Sequence, residues 1–318
     1  MVTRQHKLKI EVIMSQQQSP TISKVNGSVL TPSENDNCLL AIPKKGRLYK
    51  KCLEILHGIG LEFSRPNRLD YAHCKHIGIT LIFLPAHDIP HYIGNGHVDM
   101  GITGQDMVRE TQADVDTQML LGFGKCKLCL LGPQKKISEL KKTTVAGKRI
   151  VTSFPNVTKE YFKDLEPSPK IQYVSGSVEV ACALGLADAV VDLVETGTTM
   201  RAAGLDIIEK MMDTQCVLIS NTKTKHQAMI KKLKARLDGY LTAQKFILMV
   251  YNMPKDRLKE AIAITPGKRS PSLMSLEDNK WVAVSVLVLK SQASNIMDQL
   301  EAVGATDILC TSLMNCRV

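Results

Sequence analysis

Residues 190–201, VVDLVETGTTMR, run from an apolar segment through a polar turn into a sequence that suits a helix. An apolar run that ends at such a turn is typical of a buried strand, and open α/β sheets bind ligands at the carboxyl ends of these strands. Gly197 lets the backbone N–H groups of the turn approach an anion closely. Thr196, Thr198 and Thr199 add hydroxyl donors. The turn therefore predicts a phosphate-binding loop.

Two acidic residues, Asp192 and Glu195, precede the loop. A carboxylate repels phosphate, but it accepts hydrogen bonds from the neighbouring hydroxyls of a sugar. The combination indicates a ribose 5-phosphate site, with Asp192 or Glu195 on the 2- and 3-hydroxyls and residues 196–199 on the phosphate. Taken alone, the loop fits an ordinary helix start equally well, with a Thr as the cap and Gly197 making the turn.

Apolar strands alternate with helical periodicity on both sides of this segment. CLLAIP (38–43) and ITLIFLP (79–85) suggest strands, and the apolar spacing over 48–56 predicts a helix between them. A second series of strands begins near residue 118, and QCVLIS (215–220) returns to the first series. We therefore predict an α/β protein with two lobes and a cleft between them. The predicted boundaries are 38–116 plus 206–221 for the first lobe, 117–205 for the second lobe with its phosphoribosyl-binding loop, and 222–318 for a C-terminal domain.

The C-terminal domain has a different pattern. After a helix over 226–245, its elements follow the order β-α-β-β-α-β, which is that of a ferredoxin-like fold. The segment contains no catalytic cluster, so a regulatory or oligomerising role is favoured. It carries most of the net charge of +10, with fifteen Lys and Arg against eight Asp and Glu. Because no aromatic residue interrupts its basic run, a solvated helix face is favoured over nucleic-acid binding.

Composition indicates a soluble globular protein, with 44% apolar and 23% charged residues. No apolar run reaches the ~20 residues that span a bilayer, and the N-terminus lacks the apolar core of a secretion signal. We therefore expect a cytoplasmic protein with no membrane partner. Residues 1–37 are polar and aperiodic, which predicts a disordered extension of unassigned role. The nine cysteines are expected to be reduced, and the CxxC at 126–129 has no second pair to complete a metal site.

Three loops of the first lobe suit an anionic ligand. Residues 44–47, KKGR, open the first helix, and residues 64–70, SRPNRLD, place two arginines in the next connection. Residues 99–106, DMGITGQD, form a strand end with two glycines and two acids. A single surface Lys or Arg is usually just solvated. Three such loops at equivalent strand ends, however, indicate one shared anion site.

Eight stretches of the chain carry a family resemblance, namely AIPKKGRL, LPAHDIP, VDMGITG, FGKCKL, GKRIVTS, VSGSVEVACALGLADAVVDLVETGTTMRAAGL, LTAQKF and PGKRSPS. In these stretches the chain resembles the ATP phosphoribosyltransferase family in its long form, the first enzyme of histidine biosynthesis. The resemblance covers residues 38–318 and is most specific around the threonine-rich loop.

The resemblance implies a bilobed, periplasmic-binding-protein-like (type II) catalytic core and a ferredoxin-like (ACT-like) regulatory domain at the C-terminus. It implies that ATP and 5-phosphoribosyl 1-pyrophosphate react, with Mg²⁺ as cofactor, to give phosphoribosyl-ATP and pyrophosphate. Arg47 and Arg68 are the implied contacts to the pyrophosphate. The implied ATP-binding residues are Lys45, Asp99, Thr103 and Gly104.

The resemblance also implies L-histidine as an allosteric inhibitor bound within 222–318, and homo-oligomers that are dimers or hexamers. Neither the metal ligands nor the histidine pocket is identified by the sequence. A solute-binding or sensor protein could share the bilobed fold. Such proteins need a secretion signal or a DNA-binding module, and the sequence indicates neither.

Overall fold

The computed structural model describes residues 36–65 and 69–317. The extension predicted over 1–37 lies outside the described residues except for Asp36 and Asn37, and Arg68 also lies outside them. Residues from Cys38 onward form one unit. No helix in the described part of the chain is both long and apolar enough to cross a membrane.

Strands and helices alternate along the chain. The strands are β1 (Cys38–Pro43), β2 (Tyr71–His73), β3 (Ile79–Leu84), β4 (Met100–Gly104), β5 (Val115–Leu120), β6 (Cys126–Pro133), β7 (Arg149–Thr152), β8 (Lys170–Tyr173), β9 (Ala189–Val194), β10 (Leu205–Thr214), β11 (Cys216–Asn221), β12 (Phe246–Pro254), β13 (Ser272–Ser275), β14 (Trp281–Leu289) and β15 (Thr306–Ser312). The helices are α1 (Arg47–Gly58), α2 (Ile89–Gly94), α3 (Gln105–Thr111), α4 (Pro155–Tyr161), α5 (Thr198–Ala202), α6 (Gln227–Lys245), α7 (Leu258–Ile264) and α8 (Ala293–Ala302).

The first lobe is built on a sheet with the strand order β2-β3-β1-β4-β11-β5. β1 pairs in parallel with β3 and β4, whereas β11 runs antiparallel to β4 and β5. Side chains of α1 and α6 pack on one face of this sheet, and those of α2 pack on the other. A strand covered on both faces must be apolar along its whole length, which explains the sequence CLLAIP.

The second lobe is built on a sheet with the order β10-β6-β9-β7-β8. β9 lies at its centre, antiparallel to β6 and parallel to β7. Val190 and Val194 of β9 pack in one apolar cluster and Ala189 and Val191 in the other, one on each face. β9 thus pairs with a strand on each edge and packs against apolar side chains on each face, so the loop that follows it starts from a well-fixed strand.

The predicted lobe boundaries are wrong at two strands. β5 pairs with β11 in the first sheet, although residues 117–120 were predicted to belong to the second lobe. β10 pairs with β6 in the second sheet, although residues 206–214 were predicted to belong to the first lobe. The physical reason is that an apolar pattern identifies a strand but not its partner, because pairing depends on residues distant in sequence.

Helix α6 corrects the predicted start of the C-terminal domain at residue 222. Its buried residues Ile230, Leu233, Leu237 and Tyr240 belong to the same apolar cluster as α1. A side chain at Gly58 of α1 would collide with the ring of Tyr240. α6 is therefore part of the first lobe, and the basic residues of its other face lie in solvent.

The third sheet, with the order β13-β14-β12-β15, belongs to the C-terminal domain. Its pairs are all antiparallel, and α7 and α8 pack on one face around the buried Tyr251. This arrangement is the predicted ferredoxin-like fold. The prediction of a bilobed α/β core followed by a ferredoxin-like domain is thus confirmed.

No α-helix is formed in the described chain between β8 and β9. The segment Val178–Val180 makes a single 3-10 turn, followed by further turns up to Gly185.

Candidate active site

The threonine-rich turn joins β9 to α5 at the carboxyl end of the central strand. Gly197 has φ of 74°, in the left-handed region that glycine adopts without strain. The hydroxyls of Thr196 and Thr198 lie 2.9 Å apart, and both side chains are exposed, as is that of Thr199. The sequence therefore folds here into an open turn with three hydroxyl groups at its surface.

A cavity of about 220 Å³ lies against this turn, and we call it the loop cavity. It is lined by Arg47, Cys126, Leu193, Val194, Glu195, Thr196, Gly197, Thr198, Thr199 and Met200. Six of the predicted site residues, Arg47 and residues 195–199, are thus brought together, although 150 positions separate Arg47 from Gly197 in the sequence.

Arg47 reaches from the first lobe to the second. It opens α1 immediately after Gly46, which has φ of 87°. Its guanidinium donates from Nη1 to the carbonyl of Gly124 at 3.0 Å and from Nη2 to Sγ of Cys126 at 3.0 Å. Nη1 also lies 3.8 Å from a carboxylate oxygen of Glu195. A cation therefore faces the threonine loop from the opposite lobe.

A larger neighbouring cavity, of about 480 Å³, is lined by three cations that were not predicted as site residues, Lys125, Lys127 and Arg201. We call it the cleft cavity, and it is lined by Gln105, Lys125, Cys126, Lys127, Val194, Glu195, Thr196, Gly197, Met200, Arg201, Ile207, Asp213, Thr214 and Gln215. Lys125 and Gln215 lie on the two chain crossings between the lobes. Both crossings of a bilobed fold border its cleft, so polar residues at the crossings are the available signal, but the predicted lobe boundaries lay at 116/117 and 205/206, away from Lys125 and Gln215.

Cys126, the first cysteine of the CxxC pattern, lines both cavities. Burial raises the pKa of its thiol above the usual value, although the charge of Arg47 acts in the opposite direction. The thiol is therefore protonated near neutral pH, and Cys126 serves as an acceptor for Arg47.

Asp192 does not line either cavity. Its carboxylate accepts a hydrogen bond from the N–H of Leu193 at 2.8 Å. Burial raises the pKa of Asp192 from 3.8 to about 6, and the negative charge of Glu179 adds to the shift. Of the two acids predicted for the ribose, Glu195 borders the loop cavity directly, and the role of Asp192 stays a prediction.

The residues predicted for ATP are not assembled in these cavities. Asp99 accepts hydrogen bonds from the N–H of Leu39 at 2.8 Å and from the hydroxyl of Thr224. Leu39 is the second residue of β1, whereas Arg47 follows the other end of this strand, at Pro43, which lies four residues or ~13 Å beyond Leu39. Asp99 therefore ties strand starts together on the side away from the cleft, a position that the sequence pattern could not distinguish.

Thr103 and Gly104 are buried at the end of β4. The hydroxyl of Thr103 donates to the carbonyl of Ala86 at 2.8 Å, and a side chain at Gly104 would collide with the carboxylate of Asp106. Both residues hold the strand end that presents Gln105 to the cleft cavity. Lys45 is exposed beside Arg47 without lining either cavity.

Carboxylates beside the cavities are already engaged with cations. Glu195 lies 3.8 Å from Arg47, and Asp213 lies 2.9 Å from Lys210. Among the described residues, no group of three or more His, Cys, Asp or Glu side chains is placed to hold a metal ion. A cation held mainly by the phosphates of a substrate fits this donor set, because Mg²⁺ needs few protein ligands when phosphates and water complete its shell.

Fold and site together define a class: two-lobed α/β proteins with a cation-lined cleft beside a threonine-rich turn. A family model described as ATP phosphoribosyltransferase matches residues 85–239, and a model of the C-terminal domain of the same family matches residues 243–315. The second match begins close to β12, where the third sheet starts.

Curated relatives agree with this assignment. The ATP phosphoribosyltransferase of Yarrowia lipolytica is 46% identical over 89% of this chain and 98% of its own length, and that of Saccharomyces cerevisiae is 45% identical over 89% and 97%. The ATP phosphoribosyl transferase (HisG:HisZ) complex from Thermotoga maritima contains a chain that is 29% identical, with a TM-score of 0.55 over 63% of this chain and 96% of that one. The chain therefore belongs to the ATP phosphoribosyltransferase family. The prediction that the chain is a transferase of this family is confirmed.

Proposed function

We propose that the protein transfers the phosphoribosyl group of 5-phosphoribosyl 1-pyrophosphate to ATP, releasing pyrophosphate, as the first step of L-histidine biosynthesis. The observation that supports this best is the loop cavity, where residues 196–199 face Arg47 of the other lobe. The loop takes the 5-phosphate, and Asp192 or Glu195 accepts hydrogen bonds from the ribose hydroxyls. Arg47, together with Arg68, takes the pyrophosphate.

The chemistry requires little covalent participation by the protein. Adenine N1 of ATP forms a bond to ribose C1 while the C1–O bond to pyrophosphate breaks, and the bonding electrons leave with the pyrophosphate. Negative charge therefore grows on the leaving group as positive charge grows on the ribose ring. Fixed cations such as Arg47 stabilise the negative charge on the leaving pyrophosphate. The two lobes hold both substrates close together and exclude water. No general base is required.

Mg²⁺ is the cofactor that we propose, bound to the phosphates of the substrates. It supplies positive charge that offsets the charge on the pyrophosphate. The residues of the chain then have the tasks of binding the 5-phosphate and orienting the ribose toward the adenine. We propose that Lys45, which is exposed two positions before Arg47, contacts the ATP phosphates.

The loop assignment is tested by replacing Thr196 or Thr199 with Val, which removes a hydroxyl at nearly constant volume. Loss of a hydrogen bond to a charged group should weaken binding of 5-phosphoribosyl 1-pyrophosphate by about 1–3 kcal/mol. Affinity for ATP should change little. Thr117→Val, on β5 at the far edge of the first sheet, is a matched control. Calorimetric titration measures both affinities, and unchanged affinity for the sugar substrate in both loop variants would refute the assignment.

We further propose that L-histidine inhibits the enzyme by binding to the ferredoxin-like domain. A cavity of about 650 Å³ lies on the face of the third sheet away from α7 and α8, and Lys268, Arg269 and Arg317 line it together with Ser270. These cations can pair with the carboxylate of an amino acid. The site lies outside the loop and cleft cavities, so inhibition requires that histidine favour a less active state of the enzyme.

Self-association into dimers or hexamers is also part of the proposal. The same sheet face exposes Met274 and Leu309, whose exposed fractions are 48% and 63%. Exposed apolar side chains on a sheet face suit contact with a second copy of the domain.

A further inference from the structure

Arg201 folds back from the last turn of α5 onto the loop that precedes this helix. Its Nη2 donates a hydrogen bond to the backbone carbonyl of Thr196 at 2.9 Å. The side chain also lines the cleft cavity beside Lys125 and Lys127. The contact therefore joins the end of a short helix to the first residue of the phosphate loop.

Gly197 makes this contact possible. A Cβ at Gly197 would lie 2.7 Å from Nη1 of Arg201 and 3.4 Å from its Cζ. Any side chain at this position would displace the guanidinium, in addition to the strain that φ of 74° imposes on other residues. The glycine thus serves the turn and leaves room for the arginine.

The hydrogen bond fixes the orientation of one peptide unit of the loop. The carbonyl of Thr196 and the N–H of Gly197 belong to the same planar trans peptide, so they point in opposite directions. Holding the carbonyl on Arg201 therefore keeps the Gly197 N–H on the side away from the guanidinium. If the peptide rotated, the carbonyl oxygen could turn toward a bound phosphate and repel it.

We propose that Arg201 is a positioning residue for the 5-phosphate of the sugar substrate, acting through the Thr196–Gly197 peptide. This inference rests on the proposed function, which places that phosphate on residues 196–199. Arg201 sets the direction of the loop donors before the substrate arrives. Its loss should affect ligands that carry the 5-phosphate and leave ligands of the opposite lobe unaffected.

The test compares Arg201→Ala and Arg201→Lys with the unmodified full-length protein. Binding of ribose 5-phosphate, inorganic pyrophosphate and ATP is measured by calorimetry. We expect Arg201→Ala to weaken ribose 5-phosphate binding about tenfold to a hundredfold, the range for a hydrogen bond that involves a charged group. Pyrophosphate and ATP affinities should stay within about twofold, and KM for the sugar substrate should rise far more than kcat falls.

Two further measurements separate positioning from general damage. Free guanidinium ion at low millimolar concentration should restore part of the ribose 5-phosphate affinity of Arg201→Ala, because it can occupy the vacated contact. The cost of Gly197→Ala should also be smaller in the Arg201→Ala background, since the clash with the guanidinium is then absent. Arg236→Ala is the matched control. Arg236 lies on α6, outside both cavities, and it also donates a hydrogen bond to a backbone carbonyl, that of Ile59 at 3.2 Å.

The outcomes are distinct. Ribose 5-phosphate affinity in Arg201→Ala equal to that of the unmodified protein overturns the inference, as does an equal loss for all three ligands. If the unmodified protein itself does not bind ribose 5-phosphate, the proposed function fails, and the inference with it. Selective loss with guanidinium rescue supports both.

Discussion

At the scale of single residues, Arg47 shows how the site is divided between the lobes. It belongs to α1 of the first lobe, yet its nearest acceptors are Gly124, on a crossing, and Cys126, in the second lobe. Glu195 lies at a longer distance, 3.8 Å. These contacts keep the guanidinium at the cleft, where a pyrophosphate could replace the protein acceptors.

The first prediction concerns the charge of Arg47. Arg47→Ala should lower kcat about a hundredfold, the usual effect of removing one donor to a developing negative charge, while ATP affinity changes little. Arg47→Lys should recover only part of the rate, because lysine lacks the planar fork of donors. Steady-state kinetics with both substrates measures this. A near-normal kcat in the alanine variant would mean that cations other than Arg47 stabilise the charge on the leaving pyrophosphate.

The second prediction concerns Asp192. Because burial raises its pKa to about 6, the folded protein holds this proton more tightly than the unfolded chain does. Stability should therefore fall as the pH rises from about 4 to about 6 and then stay lower, by about 1–3 kcal/mol. Asp192→Asn should raise the melting temperature at about pH 8 and leave it nearly unchanged at about pH 4.

The same substitution should weaken ribose binding, because the amide accepts fewer hydrogen bonds than the carboxylate. Thermal unfolding across the pH range tests the stability effect, with Asp188→Asn as a control. Asp188 is paired with Arg149, which lowers its pKa. A melting temperature gain in Asp192→Asn that does not depend on pH would contradict the assignment of the raised pKa.

At the scale of elements, α3 of the first lobe caps α4 of the second. The carboxylate of Glu110 accepts hydrogen bonds from the backbone N–H groups of Asn156, at 3.0 and 3.1 Å, and of Val157, at 3.0 Å. The side-chain amide of Asn156 donates to the Glu110 carbonyl at 2.8 Å. These N–H groups belong to the first turn of α4 and have no partner within the helix. Glu110 thus joins the two lobes through helices α3 and α4.

The third prediction follows from this contact. Glu110→Ala should lower the free energy of unfolding by about 1–2 kcal/mol, as loss of a helix cap does. It should also lower kcat, since the reaction needs substrates held by both lobes at a fixed separation. Chemical denaturation and steady-state kinetics measure the two effects.

Glu160→Ala provides the comparison for this element. Glu160 lies on the same helix, is exposed, and pairs with Lys163 at 2.8 Å. Such a surface pair contributes little to stability. If both substitutions gave the same loss of stability and activity, the contact between the lobes would have no special effect.

At the scale of the whole molecule, α6 decides where the C-terminal domain can be removed. Its apolar stripe packs on α1, and Arg236 donates to the carbonyl of Ile59. A chain that ends at Asn221 lacks this cover and exposes the core of the first lobe. A chain that ends at Lys245 keeps α6 and removes only the ferredoxin-like domain.

The fourth prediction is that the chain ending at Lys245 retains transferase activity and loses inhibition by histidine, whereas the full chain is inhibited and thermally stabilised by it. In the full-length protein, Arg269→Ala should raise the inhibitory histidine concentration about tenfold, because one charged contact to the carboxylate is lost. Histidine titrations of activity and melting temperature are the measurements. An active full-length enzyme that ignores millimolar histidine would refute the regulatory proposal and leave the catalytic one intact.

Sequence alone determined the local features of this protein. The alternation of strands and helices, the turn at Gly197 and the cationic start of α1 follow from residue type and short-range spacing. They were sufficient to predict a two-lobed α/β fold and the ferredoxin-like order, and they are the basis for the proposal that the turn at Gly197 binds phosphate.

Tertiary structure alone decided which elements meet. β5 and β10 each joined the sheet opposite to the predicted one, and α6 joined the first lobe, because strand pairing and helix docking depend on partners distant in sequence. Asp99 lies near the wrong end of its strand to reach the cleft, while Lys125, Lys127 and Arg201 reach it. A side chain's type states what it can bind, but its position in the fold determines what it can touch.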